Sequence, residues 1–168
     1  MTTTECAYCR KLADLASLAA DEVVWQFPHS VVLLGPWQYF HGYCVVVARY
    51  HATELSQLSA PLRHGFFDEV CLVAWAIEQC FRPHKLNYEL LGNQVPHLHW
   101  HLFPRYRDDP DVMQPVWLAL ERAEQNEAER HRLQTGPQER TAISRQLRDQ
   151  LIREMAWGIP VSRTLTSG

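Results

Sequence analysis

The 168-residue sequence lacks any apolar run near the roughly 18 residues a membrane span requires, which predicts no membrane partner. It has no excess of positive charge: 16 Lys and Arg stand against 19 Asp and Glu, a formal net charge of -3. A protein that coats nucleic-acid polymers through their phosphates carries the opposite balance, so that function class is excluded. Internal repeats and low-complexity tracts are absent, and Met1-Thr2-Thr3-Thr4-Glu5 has neither the basic nor the apolar segment of a signal peptide. The chain is expected to be cytoplasmic. Its five cysteines are an odd number, which favours thiol or metal chemistry over a disulfide framework. What is present is ordinary globular material, 46% hydrophobic and 21% charged, enough for one domain with a real core. Nine histidines are the unusual entry.

Hydrophobic spacing outlines the elements. Leu12, Leu15, Ala16 and Ala19 recur at helical steps over 10–20. Val23 to Phe27 and Ser30 to Leu34 read as strands separated by the Pro28-His29 turn. Tyr43 to Ala48 is apolar on both faces, which places it at a sheet centre. Phe66, Val70, Val73, Ala74, Ile77 and Phe81 form the stripe of a helix over Pro61–Phe81, with Pro61 in its first turn and Pro83 beyond its end. Leu86 to Leu91 and Val95 to Phe103 read as two further strands around Gly92-Asn93-Gln94. The order predicts an α+β fold with a mostly antiparallel sheet and flanking helices. Past Pro110, Glu121 to Arg132 is so charged that it reads as a solvated helix or a link. Ile143, Leu147, Leu151 and Met155 then mark an amphipathic helix that docks on the sheet or on a second subunit.

The informative segment is His97-Leu98-His99-Trp100-His101-Leu102-Phe103. In a strand, alternate side chains share a face, so the three imidazoles line one side at steps of about 7 Å while Leu98, Trp100 and Leu102 face a core. Such a row suits two functions. It can converge on a metal ion, or it can act on phosphate, because an imidazole with a reference pKa near 6.5 serves as a nucleophile at one position and a donor at the next. The preceding Gly92-Asn93-Gln94 favours phosphate, since glycine lets backbone amides approach an anion. Cys6-Ala7-Tyr8-Cys9 has metal-ligand spacing, with two reduced, buried thiols as the alternative. Cys44, Cys71 and Cys80 read as small core residues. Trp37 and Trp117 stand near breaks in the pattern and are candidates for stacking on a base. Arg105 and Arg107 could meet a second phosphate or form a solvated cluster with Asp108, Asp109 and Asp111.

The stretch Leu91 to Arg105 resembles the His-φ-His-φ-His-φ-φ signature (φ apolar) of the histidine-triad (HIT) hydrolases. Gly42 to His51 with Glu54 and Leu55 is similar to the family's upstream strand and the segment that follows it. The resemblance covers about Cys6 to Pro115, which suggests a HIT domain over 1–115 and a C-terminal helical extension over 116–168 packed on that domain or on a partner subunit. It implies a homodimer and a nucleotidyl hydrolase that cleaves a nucleoside phosphate or dinucleoside polyphosphate at the α-phosphorus. His99 would be the nucleophile and His101 a donor to a phosphate oxygen. Asn87, Gly92, Asn93, Gln94 and His97 would complete the substrate contacts, and the chemical step needs no metal. A nucleotidyltransferase or phosphorylase sharing the intermediate, a histidine-metal enzyme and a non-catalytic nucleotide-binding protein are the rivals. Some HIT-superfamily members, galactose-1-phosphate uridylyltransferases among them, join a C-x-x-C to a downstream His and to the first His of the motif. Carried over, this implies a structural zinc on Cys6, Cys9, His51 and His97. The chain departs from the family at Tyr43, where many members have His, and at Gly35, near the usual ribose contact. Phe27, Val31 and Leu33 are candidate walls of a base pocket.

Overall fold

The computed structural model describes residues 5–156. Five strands, β1 (Val23–Gln26), β2 (Ser30–Leu34), β3 (Cys44–Ala48), β4 (Lys85–Glu89) and β5 (His99–Arg105), form one sheet in the order β1-β2-β3-β5-β4. Every neighbouring pair is antiparallel, so the expected α+β fold holds. The strands β2 and β3 are buried at every position because helices cover both faces.

On one face, Val32, Leu34, Val46, Leu98 and Leu102 meet Phe66, Val70, Val73 and Ile77 of α2 (Ala60–Phe81). Ile143, Leu147 and Leu151 of α5 (Arg140–Ala156) join the same core, while Met155 stays exposed. Arg148 fastens α5 by donating to the carbonyls of Val24 in β1 (3.1 Å) and of Ala20 in the segment before it (2.5 Å). Truncating Leu147 to alanine removes a fully buried side chain and is expected to cost about 2–5 kcal/mol in urea unfolding. An unchanged midpoint would mean that α5 contributes no core.

On the other face, Val31, Leu33, Val45, Val47 and Phe103 pack beneath α1 (Ala7–Ala13), α3 (Val116–Gln125) and α4 (Glu127–Gln134). Here the structure departs from the sequence pattern. The charged stretch after residue 120 is two docked helices, because Val116, Ala119, Leu120, Ala123 and Leu133 make a buried stripe. The asparagine at 126 ends α3 and caps α4, its side-chain oxygen accepting from the amides of Ala128 and Glu129. The first helix begins earlier than expected, inside the C-x-x-C, and stops at Asp14, with one 3-10 turn over Leu15–Ser17. Phe27 belongs to the α2 face, opposite Val31 and Leu33, so those three do not wall one pocket. Cys44 is buried, but Cys71 is exposed on α2 and Cys80 only half-buried.

Arg105 closes β5 in a way that neither sequence expectation described. It is 3% exposed and donates to the Asp109 carboxylate (3.0 Å), to Asn87 Oδ1 (3.1 Å) and to the carbonyls of Gln114 and Asp111. It therefore straps the segment leading into α3 against the sheet, whereas Arg107 is exposed. Arg105→Ala strands Asp109 as a buried, unpaired charge and is expected to destabilise the fold by about 3–5 kcal/mol. A thermal midpoint equal to the wild type's would refute this strap.

Candidate active site

The β5 register builds the site. Val47 pairs with His99 and Val45 with His101, so both imidazoles project to the face covered by α1 and α3. Trp100 and Leu102 point into the α2 core. His97 precedes the strand. The Leu98 amide donates to the Ala52 carbonyl, and Leu98 in turn accepts from Ala48, which holds this lead-in to the sheet. All three rings share one surroundings: Tyr8 of α1 lies 5.7 Å from His97 and 4.7 Å from His99, and His99 lies 4.8 Å from His101. Trp117 of α3 meets His101 edge-on at 5.3 Å. His97 and His99 are buried, and His101 is half-buried.

Hydrogen bonds assign the ring protons. Nδ1 of His99 is 2.6 Å from the His97 carbonyl, which can only accept, so Nδ1 carries the proton and Nε2 of the neutral ring keeps its lone pair. Burial lowers the pKa of His99 despite that bond, and burial together with His99 takes His101 down to about 4. Both rings are therefore neutral near pH 7. His101 meets the hydroxyl of Tyr43 at Nδ1, 2.7 Å away.

His97 serves a different cluster. Its Nε2 donates to the Ala48 carbonyl at 2.8 Å, which leaves Nδ1 as a lone pair facing Cys6 Sγ at 3.4 Å and Cys9 Sγ at 3.6 Å. Nδ1 of His51 lies 3.4 Å from Cys9 Sγ. The four ligand atoms lie within 4.8 Å of one another. A tetrahedral zinc with bonds of about 2.0–2.3 Å spaces its ligands by about 3.3–3.8 Å. The three sulfur–nitrogen separations match those edges, and the second nitrogen of His97 is anchored as a metal-bound histidine's is. Donor set and geometry thus fit zinc.

The other sequence-derived candidates are more dispersed. Asn87 lies on the triad face opposite Phe103, but its Oδ1 is engaged by Arg105. Gly92, Asn93 and Gln94 occupy the loop between β4 and β5, with Asn93 and Gln94 exposed. Gly92 has φ +83, a backbone conformation that favours glycine. It borders a cleft of ≈ 280 Å³ together with Glu54, Leu90 and His97. Trp37 packs at the edge of the α3-side core, whereas Trp117 reaches the triad.

Three neighbours of the triad were not read as functional from sequence: Tyr8, Tyr43 and Glu89. Glu89, paired with His101 across β4 and β5, accepts from the Trp117 indole, and burial raises its carboxyl pKa. Tyr8 had a signal, since any ion gripping Cys6 and Cys9 draws the residue between them toward His97. Tyr43 stood out as a departure from the family pattern, but its contact needs the β3–β5 register.

Comparison with known proteins bears on the fold and the family. A curated relative, "Protein hit" of Bacillus subtilis (strain 168), is 29% identical over 107 residues, 60% of this chain and 71% of that protein. A zinc-bound histidine triad family protein from Mycobacterium smegmatis has a TM-score of 0.65 at 15% identity, covering 93% of this chain and 99% of that one. A hypothetical histidine triad nucleotide-binding protein from Sulfolobus tokodaii gives 0.61 at 14% identity, covering 86% and 93%. At such identities these two structures show the fold alone. The HIT domain model matches residues 17–108, more than half of the sequence and the whole of β1 to β5, and so the chain belongs to the histidine-triad family, whose members bind nucleotides and are commonly, though not always, nucleotide hydrolases or transferases.

Proposed function

We propose that the protein is a nucleotidyl hydrolase that cleaves a nucleoside phosphate or dinucleoside polyphosphate at the α-phosphorus. The observation that carries this reading is the complementary state of two adjacent rings: His99 offers a lone pair at Nε2, and neutral His101 has Nδ1 engaged by Tyr43, which leaves Nε2 for a substrate. In the first step a bond forms from His99 Nε2 to phosphorus while the P–O bond to the leaving phosphate breaks with its electron pair. In the second, water attacks phosphorus and gives up a proton to solvent, the N–P bond breaks and its electrons return to Nε2, releasing a nucleoside monophosphate. Two displacements replace one harder step. His101 would donate to a non-bridging oxygen as charge builds there, assisted by backbone amides of Gly92, Asn93 and Gln94 and by the side-chain amide of Asn87.

Cys6, Cys9, His51 and His97 would hold a structural zinc, which ties α1 to the triad strand and supplies no step of the reaction. The reading also takes the chain as a cytoplasmic homodimer, with a HIT domain over 1–115 and a helical extension from residue 116. No helix among the described residues is long and apolar enough to cross a membrane. The test is a turnover screen over adenosine and guanosine mono-, di- and dinucleoside phosphates, with labelled nucleotide quenched in alkaline denaturant to trap the acid-labile phosphoramidate. A labelled peptide containing His99 supports the mechanism. Nucleotide binding without label or product overturns it, and product formed only with phosphate as acceptor makes the enzyme a phosphorylase.

A further inference from the structure

Tyr43 is the residue at which this chain departs from the usual triad neighbourhood, and its placement bears on His101. Its side chain is 2% exposed, stacked on Phe103 with ring centres 4.0 Å apart. Among the described residues its hydroxyl has one hydrogen-bond partner, His101 Nδ1 at 2.7 Å. A neutral phenol and a neutral imidazole can share a proton there in two senses. If Nδ1–H donated to the phenol oxygen, the phenol's own proton would be buried without an acceptor, which costs the desolvation of an unmade hydrogen bond. If the phenol donates, every group is satisfied. Nδ1 then holds the lone pair and Nε2 the proton. This is the reverse of His99, whose Nδ1 is obliged to donate to the His97 carbonyl.

We propose that Tyr43 is the positioning residue that sets the tautomer of His101: its buried O–H donates to Nδ1 and so presents Nε2–H as the donor to a phosphate oxygen, beside the lone pair of His99. The inference rests on the hydrolase reading for its catalytic consequence, not for the tautomer itself. Ring orientation is held from the other sides by Phe103, nearly parallel to His101 at 5.7 Å, and by Trp117, whose indole is fixed on Glu89. A half-turn of the imidazole would break the Tyr43 bond, and a smaller rotation would disturb both aromatic contacts as well. Tyr43 thus acts through His101 and does not itself need to touch substrate.

Proton-detected 15N spectroscopy of the full-length protein reports each histidine's tautomer without turnover. The wild type is expected to show His101 with its proton on Nε2 and His99 with its proton on Nδ1. In Tyr43→Phe the His101 signal should move toward a tautomer mixture. With the nucleotide found in the screen, kcat should fall on the order of 10–100-fold at nearly constant KM, part of the 10²–10³ that loss of a transition-state donor costs. A wild-type His101 protonated on Nδ1 would overturn the proposal, and so would a Tyr43→Phe protein with wild-type tautomer and kcat. Should the phenylalanine variant not fold, the wild-type spectrum alone decides the tautomer. If the wild type turns over no nucleotide but shows Nε2–H, the hydrolase reading fails while the role of Tyr43 in setting the tautomer stands.

Discussion

Replacing His99 with alanine is expected to abolish turnover, a loss on the order of 10⁴-fold or more, as for removal of a covalent nucleophile elsewhere. No neighbouring group can take over. His97 commits Nε2 to the Ala48 carbonyl and turns Nδ1 toward two sulfurs, and His101 has Nδ1 occupied by Tyr43. With Tyr43 donating to His101, His99 is the ring among the described triad residues that keeps an unengaged, unprotonated nitrogen. The ring is 5% exposed, so the alanine variant leaves a small void beneath Tyr8 and should lose some stability while keeping its circular-dichroism spectrum. Steady-state rates with the preferred nucleotide, measured beside a melting curve, separate chemistry from folding. Turnover within tenfold of wild type in a folded His99→Ala protein would eliminate His99 as the nucleophile.

Cys9→Ser is expected to lower bound zinc from one per chain to nearly none. Four ligands close a structural site, and a hydroxyl is a poor substitute for a thiolate. Structural zinc contributes about 10–16 kcal/mol to the folding of small finger peptides. Here two buried sheet faces persist without the metal, so only the attachment of α1 is at stake. A loss of about 3 kcal/mol would lower Tm by about 6–12 °C for a chain of this size. Because Tyr8 lies between the two cysteines and against His97 and His99, the variant should also show a more exposed tyrosine by fluorescence quenching. Metal analysis by mass spectrometry and calorimetry on both proteins provides the check. Wild-type protein that binds no zinc after supplementation would sink the metal site, and the cluster would then be two reduced thiols beside two imidazoles.

Much of this architecture was legible in the residues. The Pro61–Phe81 stripe announces α2 to within one residue, since Pro61 marks its first turn and Pro83 its end. The wholly apolar 44–48 run locates a central strand, because only strands covered on both faces carry such a pattern. Period-two spacing places His99 and His101 on one face, and the resemblance to HIT-superfamily members with a C-x-x-C points to Cys6, Cys9, His51 and His97, whose ligand atoms lie within 4.8 Å of one another. The helices after Pro115 were harder to read. Alanines and single leucines bury a narrow stripe beneath charged neighbours, so α3 and α4 look solvated until the surface they cover is known. Arg105 is a similar case. An arginine beside three aspartates reads as a surface cluster, but this one is a buried strap because Asn87 arrives from another strand and two carbonyls from the following loop.

Chemistry and periodicity along the chain therefore determined the residue types at the site, the faces they occupy and the family to which they belong. The tertiary structure alone decided which nitrogen of each imidazole is free. That depends on the carbonyls of Ala48 and His97 and on the hydroxyl of Tyr43. Tyr43 and Ala48 lie some 50 residues before the triad and reach it through the β3–β5 register. A pattern of side chains fixes its own spacing, but a proton's position on a ring is set by whatever acceptor or donor packs against it. That partner is chosen by strand pairing and helix docking far along the sequence.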